Sequence, residues 1–342
     1  MDATRTTTVR IGLVGVGRIG SMHAGLLARQ VAGAAVTRVY DAHAESARAV
    51  ADTLGVTPAA ELDELLAAPD VDAVAICAST GTHADLIVAA AEAGKAIFCE
   101  KPVSLDLAEV DRALAAVEVA GVPFQIGFNR RFDPAHAAVA AAVADGEIGE
   151  PQIVRISSRD PAPPPLAYVR ASGGIFLDMT IHDFDMARFV TGSDVVEVYA
   201  RGAVRVDPAV GDAGDVDTAV VTLEHASGCL TTIDNSRQAV YGYDQRVEVF
   251  GSAGMAASEN PLAHSAVVRT ANGTRAATLP YFYLERYIPS YLREWEAFVG
   301  AVETGTAPPV GPADARAPLV IGLAGWRSLR ERRPVRIEEV EP

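Results

Sequence analysis

The chain has 342 residues, of which 49% are hydrophobic and 21% charged, and its formal net charge is −15. The length points to two domains of ordinary size, and the balance to a soluble globular chain that buries its apolar surface without disulfides. The anionic surplus argues against nonspecific binding to nucleic acid or acidic lipid, although backbone donors and single Lys or Arg residues can still hold a phosphate locally.

In chain order, Met1–Thr8 is polar and has no apolar h-region, which reads against a signal peptide. Val9–Val14 is a short apolar run that predicts a buried parallel strand. A glycine turn follows, then a helix to about Val31, a strand at Val36–Asp41 and a helix at His43–Leu54. Val71–Cys77 predicts a third strand and Thr82–Ala93 a helix stopped by Gly94. Ala96–Glu100, Leu105–Ala120 and Pro123–Phe128 continue as strand, helix ending at Gly121, and strand. This alternation predicts an α/β doubly wound parallel sheet over residues 1–128.

Beyond Asn129 the rhythm changes. Phe132–Ala144 predicts a helix, Gln152–Ser158 a strand, Pro161–Pro165 a proline-rich loop and Gly174–Val190 a single helix. Val195–Phe250 carries several runs rich in Val, Thr and Tyr between Gly and Asp turns, and Tyr287–Leu329 returns to helical patterning. Residues 129–342 therefore read as an α+β domain with a mostly antiparallel sheet. No apolar stretch is long enough to span a bilayer, so the expected compartment is the cytoplasm, where the Asn272-Gly273-Thr274 sequon has no role. Cys77, Cys99 and Cys229 form neither a disulfide framework nor a metal spacing and are expected as buried reduced thiols.

Gly15-Val16-Gly17-Arg18-Ile19-Gly20 directly follows the first strand and opens a helix. The first glycine permits the tight turn, the second lets the backbone approach a pyrophosphate, and the third lets helix and strand pack closely. The helix N-terminus offers N–H groups to the anion. Asp41, at the end of the second strand, is placed to accept hydrogen bonds from ribose hydroxyls and to repel a 2′-phosphate, which favours NAD over NADP. Arg38 precedes it and is expected to point elsewhere, while His43 is the one nearby residue able to assist a phosphate. The small residues of Ala78-Ser79-Thr80-Gly81-Thr82-His83 suit a loop passing under this Rossmann-type cofactor, and Thr82 equally suits a helix N-cap.

Glu100-Lys101-Pro102 closes the fourth strand on the same edge, where Lys101 reads either as a group that polarises a substrate oxygen or as a solvated charge. Asp178 and His182 stand four positions apart within the predicted helix, hence on one face. Three arrangements satisfy such a pair: an oriented general base, a two-ligand metal site, or a structural contact.

The order GxGxxG, Glu-Lys-Pro, then Gly173-Gly174-x-Phe176-x-Asp178-x-x-x-His182 resembles the glucose–fructose oxidoreductase, inositol dehydrogenase and rhizopine catabolism (Gfo/Idh/MocA) family over nearly the whole chain. Gly127–Pro134, Ser158–Pro161, Gly173–Phe189, Asn235-Ser236-Arg237 and Tyr241–Arg246 are most similar to its bacterial inositol 2-dehydrogenase branch. The resemblance implies NAD-dependent oxidation of myo-inositol to 2-keto-myo-inositol (scyllo-inosose). It implies a catalytic group of Lys101, Asp178 and His182, with no catalytic metal at His182, Asp183 or Asp185. In it His182 takes the hydroxyl proton, Lys101 stabilises the developing charge and Asp178 orients the two.

The resemblance further implies cofactor contacts from the glycine turn, Asp41, Ala78, Ser79, Thr80, His83, Glu100, Lys101, Asn129 and Arg130. Substrate contacts are implied for Lys101, Arg130, Arg159, Asp160, Asp178, Thr180, His182 and Tyr243. It also implies an open sheet in the second domain that assembles a homotetramer or dimer. A scyllo-inositol or hexose dehydrogenase on the same scaffold is the near alternative, and a non-catalytic NAD-binding sensor the distant one.

Overall fold

The structure is a computed structural model that describes residues 8–340; of the Met1–Thr8 stretch read for targeting, all but Thr8 lies outside the described residues. The chain forms two units: one takes in the chain to Asn129 and Tyr291–Ala317, the other Arg130–Ser290 and the chain from Pro318. The first unit thus ends near the expected 128/129 division and in addition takes in Tyr291–Ala317. Trp295, Phe298 and Val299 join the first unit's core around Phe98, a long-range packing choice that sequence position does not disclose.

In the first unit, chain order gives β1 (Val9–Val14), α1 (Arg18–Arg29), β2 (Ala34–Tyr40), α2 (Ala44–Leu54), β3 (Thr57–Pro58) and α3 (Leu62–Leu66). β4 (Ala73–Ile76), α4 (Thr80–Glu92), β5 (Ala96–Glu100), α5 (Leu107–Ala120) and β6 (Phe124–Gly127) follow. β3 and α3 were not expected, because elements of two and five residues carry no usable periodicity. The six strands pair in parallel in the order β3-β2-β1-β4-β5-β6. Strand order reverses between β1 and β4, and ligands of such sheets bind at the carboxyl ends there. Gly15 and Ala78 follow those two strands.

The second unit opens with α6 (Pro134–Ala144), whose start is fixed by Asp133 accepting from the Ala135 and His136 N–H groups and by Pro134 in its first turn. β7 (Pro151–Arg159), α7 (Leu166–Ala171), α8 (Gly174–Asp178), α9 (Ile181–Thr191), β8 (Val195–Ala203), α10 (Pro208–Asp212), β9 (Thr218–His225) and β10 (Leu230–Ser236) come next. β11 (Asp244–Gly251), β12 (Met255–Ser258) and a hairpin of β13 (Val268–Thr270) and β14 (Gly273–Arg275) lead to α11 (Tyr283–Thr304), α12 (Pro312–Glu331) and β15 (Val335–Arg336). The chain passes between units within α11 and again within α12.

The seven-stranded sheet runs β12-β11-β7-β10-β9-β8-β15 and is antiparallel except for β7 beside β10. It therefore extends beyond Val195–Phe250, with β7 in its interior. Alternation along the strands turns Val154, Ile156, Val221, Ile233 and Val249 onto a core with α6, α8, α9 and α12 residues such as Val139, Phe176, Phe184 and Ile321. Ile153, Tyr199, Val220, Leu230, Phe250 and Met255 lie exposed on the other face. Among the described residues no helix is long and apolar enough to cross a membrane.

Candidate active site

The glycine turn is built as its chemistry requires. Gly15 has φ +89°, and a Cβ there would lie 2.5 Å from the Ala78 nitrogen. A Cβ on Gly20 would sit 1.9 Å from the Gly15 carbonyl oxygen, so helix α1 and the turn touch there. A Cβ on Gly17 would meet nothing within 4 Å. The middle glycine thus faces open space beside the helix N-terminus, whose first N–H groups have no acceptor within a helix. Arg18 and Ile19 open that helix. This cradle fits a dinucleotide pyrophosphate.

Asp41 is tied to the same turn. Its Oδ2 accepts from the Val16 N–H at 2.8 Å and its Oδ1 from the His43 N–H at 2.8 Å. Each oxygen keeps a lone pair for a ribose hydroxyl. Arg38 turns to Asp70 at 2.8 Å and to Glu64, as expected.

At the β4 end, α4 begins at Thr80 with Ser79 as N-cap, and the Ser79 side chain makes no capping bond. Thr82 is therefore not the cap; its hydroxyl donates to the Ser79 carbonyl at 2.8 Å from inside the first turn. His83 needs a correction too. It is buried, with Nδ1 2.8 Å from the Pro102 carbonyl and Nε2 2.9 Å from the Ala78 carbonyl. Its ring ties the Ala78 loop to the Lys101-Pro102 turn and leaves no polar atom over for a cofactor. Helical spacing from Ser79 turns it inward.

Glu100 at the β5 end has a partner the sequence did not suggest. Trp295 donates its indole N–H to His23 Nδ1 at 2.8 Å, and His23 Nε2 lies 2.7 Å from Glu100 Oε1. An indole nitrogen only donates, so Nδ1 carries no proton and the Nε2–H donates to Glu100. Lys101 follows, half-buried, and its peptide bond to Pro102 is cis. Asn129 is 3% exposed, and its amide nitrogen has no hydrogen-bond partner among the described residues.

In the second unit the single helix expected over Gly174–Val190 is two. The Ile175 carbonyl accepts from both the Met179 and Thr180 N–H groups, and from the Thr180 hydroxyl at 3.1 Å. The next bonds are three-residue steps, His182 N–H to Met179 and Asp183 N–H to Thr180. The α-helical ladder is interrupted here by a shared carbonyl followed by three-residue steps. The four-residue spacing of Asp178 and His182 therefore spans a helix junction: Asp178 ends α8, and His182 lies in the first turn of α9. Asp178 Oδ1 accepts from the Tyr168 hydroxyl at 2.8 Å, and Oδ2 from both Arg237 Nη atoms at 3.2 Å.

Arg130 anchors a buried network. Its Nη1 donates to Asp183 at 2.8 Å and Ser158 at 3.2 Å, and its Nη2 to the Tyr243 hydroxyl at 3.3 Å. Asn235 Nδ2 donates to the other Asp183 oxygen, and Ser158 to Gln245. Burial pushes the Asp183 carboxyl up to about 6 against the pull of Arg130. Asp185 pairs with Arg131 at 2.6 Å, so the acids one and three positions after His182 both face arginines.

Two implied substrate contacts are corrected. Thr180 is fully buried and its hydroxyl bonds Asn235 Oδ1 at 2.7 Å and the Ile175 carbonyl. Arg159 alternates with inward Ser158, so it lies on the opposite face of β7, held by Asp234 and Tyr241. Asp160 remains with the inner groups. Burial raises its carboxyl to about 6, Arg237 and Arg130 oppose the rise, and Asp178 and Asp183 add to it. Tyr168 was not singled out, Asn235, Arg237 and Gln245 were given no site role although their stretches carried the resemblance, and Asp183 was weighed only as a metal ligand. A buried Arg beside several Asp residues is a signal only once the fold brings them together.

The three cysteines are buried, and burial raises their thiols. Among the described residues, no three His, Cys, Asp or Glu side chains converge as a metal-holding group.

Residues 9–128 match the oxidoreductase family with an NAD-binding Rossmann fold, and residues 136–257 match the GFO/IDH/MocA C-terminal domain. The chain is 50% identical over 333 residues to myo-inositol 2-dehydrogenase of Thermotoga maritima, covering 97% of this chain and 99% of the relative. It is 47% identical over 330 residues to inositol 2-dehydrogenase of Rhizobium meliloti, covering 96% and 99%. A crystal structure of scyllo-inositol dehydrogenase from Lactobacillus casei with bound NAD(H) and scyllo-inositol superposes with a TM-score of 0.91 at 28% identity, over 97% of this chain and all of that one. With both units matched along their length, the chain belongs to the GFO/IDH/MocA family of NAD-binding oxidoreductases.

Proposed function

We propose that the protein is an NAD-dependent inositol 2-dehydrogenase that oxidises myo-inositol to 2-keto-myo-inositol. One observation carries this: the likeness to inositol dehydrogenases runs through the second unit as well as the first. A dinucleotide fold alone is shared by many chemistries, whereas the second unit supplies the residues that choose a substrate. The buried Arg130–Asp183–Tyr243 network, with Asp160 beside it, is the polar lining a hydroxyl-rich ring demands, because such groups reject ligands that leave them unpaired.

The glycine turn, Asp41, Ala78, Ser79, Thr80, Glu100, Lys101, Asn129 and Arg130 are the residues assigned to the cofactor. Bound NAD supplies the hydride acceptor. His182 takes the proton of the reacting hydroxyl, and Lys101 stabilises negative charge on that oxygen. Asp178 orients them, and Asp160, Arg130 and Tyr243 hold the other hydroxyls. Asp41 favours NAD over NADP.

The test is NADH formation with a panel of inositols and hexoses. Turnover of myo-inositol is expected, and brisk turnover of a hexose with none of any inositol would reject the substrate. The scyllo-inositol alternative keeps the same residues, is favoured by the likeness to the scyllo-inositol enzyme, and is separated by the same panel. A non-catalytic sensor would bind NAD and oxidise no polyol.

We also infer a cytoplasmic homotetramer or dimer assembled through the uncovered sheet face. Leu230, Ile153, Phe250 and Met255 stand in register and give that face an exposed apolar row, with Val220 exposed farther along next to charged positions. Leu230→Glu should lower the mass measured by light scattering, and an unchanged mass would reject this face.

A further inference from the structure

We propose that Arg237 is a positioning residue of the reaction, one guanidinium that grips both ends of helix α8 and thereby fixes the carboxylate of Asp178. The inference rests on the role given to Asp178 above. Arg237 is 1% exposed and follows β10, where its N–H bonds the Asp217 carbonyl at 2.9 Å. Both Nη atoms donate to Asp178 Oδ2 at 3.2 Å, at the last residue of α8. Nη2 also lies 3.7 Å from Asp215 Oδ2. The other Asp215 oxygen accepts from the Ile175 N–H at 3.0 Å, in the first turn of the same helix.

The clamp has a functional cast. Arg237 Nε has no hydrogen-bond partner among the described residues, so the side chain is not placed to saturate its own donors. A whole buried ion pair is often replaceable by apolar residues at little cost, whereas removing one partner alone leaves the other charge buried and uncompensated. Here its planar fork faces Asp178 and Asp215, and its charge also acts on Asp160. Tyr168, half-exposed, holds the remaining oxygen of Asp178. Asp178 is thus gripped from two sides by residues of separate segments, at the junction where α8 ends and α9 begins.

The charged groups acting on Asp160 are Arg237, Arg130, Asp178 and Asp183. Removing Arg237 takes away a charge that lowers Asp160, so the carboxyl rises further. The acid limb of the kcat/KM profile then moves to higher pH.

The experiment compares wild type, Arg237→Met, Arg237→Lys and Tyr168→Phe in inositol-dependent NADH formation across pH, with NAD affinity measured by fluorescence. For Arg237→Met, kcat should fall about a hundredfold, as displacement of an oriented group does, with the Kd for NAD changed less than about twofold. Its acid limb should move up, and Arg237→Lys should recover part of kcat. Tyr168→Phe should lower kcat about tenfold with the same NAD affinity. A folded Arg237→Met with wild-type kcat and pH profile overturns the inference. Should that variant fail to fold, a Tyr168→Phe enzyme with wild-type kcat overturns it instead. A wild type that oxidises no polyol brings down the functional reading and this inference with it, whereas normal wild-type turnover with unaffected variants removes this inference alone.

Discussion

The Val16 N–H donates to the Asp41 carboxylate at 2.8 Å, joining the glycine turn after β1 to the end of β2. The acid proposed to bind the ribose therefore also ties down the glycine turn. Asp41→Ala should weaken NAD binding and narrow the preference for NAD over NADP by at least about tenfold, about 1.4 kcal/mol. Steady-state kinetics with both cofactors measure this, and an unchanged ratio counts against the assignment.

Gly17 and Gly20 should behave oppositely. Gly20→Ala puts a methyl 1.9 Å from a backbone oxygen and should lower the melting temperature. Gly17→Ala meets nothing within 4 Å, so thermal stability should hold while the Kd for NAD rises about tenfold or more, because the added methyl occupies the pyrophosphate's approach. Equal effects of the two on stability would contradict an open cradle.

Lys101→Ala should reduce kcat about a hundredfold or more while NAD affinity changes little, if the lysine has the proposed role of stabilising charge that develops during reaction. Loss of NAD binding with intact turnover at saturating cofactor would reject that role.

Asp160 and Asp183 both titrate near 6, raised by burial. Asp183 accepts from Arg130 and Asn235 as a carboxylate, and the proposed role of Asp160 is to accept from substrate hydroxyls, so kcat/KM should fall as pH drops through about 6, and Asp160→Asn should alter that limb. The sign for stability is opposite. Between the ordinary carboxylate range and about 6 the folded chain holds more protons than the unfolded one, so the contribution of these groups to stability falls as pH rises through that window. Asp160→Asn should flatten the dependence of melting temperature on pH there.

The glycine turn, Asp41 and the alternation of strand and helix were legible in the sequence, because a dinucleotide fold ties chemistry to local spacing. The first unit's five expected strands are all present, each within two residues of its expected ends. The interruption of the helical ladder at Met179 and Thr180 was not legible: the Thr180 hydroxyl there bonds Asn235, a residue far along the chain. The same holds for Arg159, whose side of the sheet follows from the pleat of β7, and for His83, which lies between two carbonyls of separate loops. Arg237 shows the difference most plainly. The sequence by itself determined that a cofactor cradle exists and which residue types accompany it. Tertiary structure alone decided which carboxylates face a guanidinium, because burial and long-range pairing set the protonation and direction of a side chain, and local pattern carries neither.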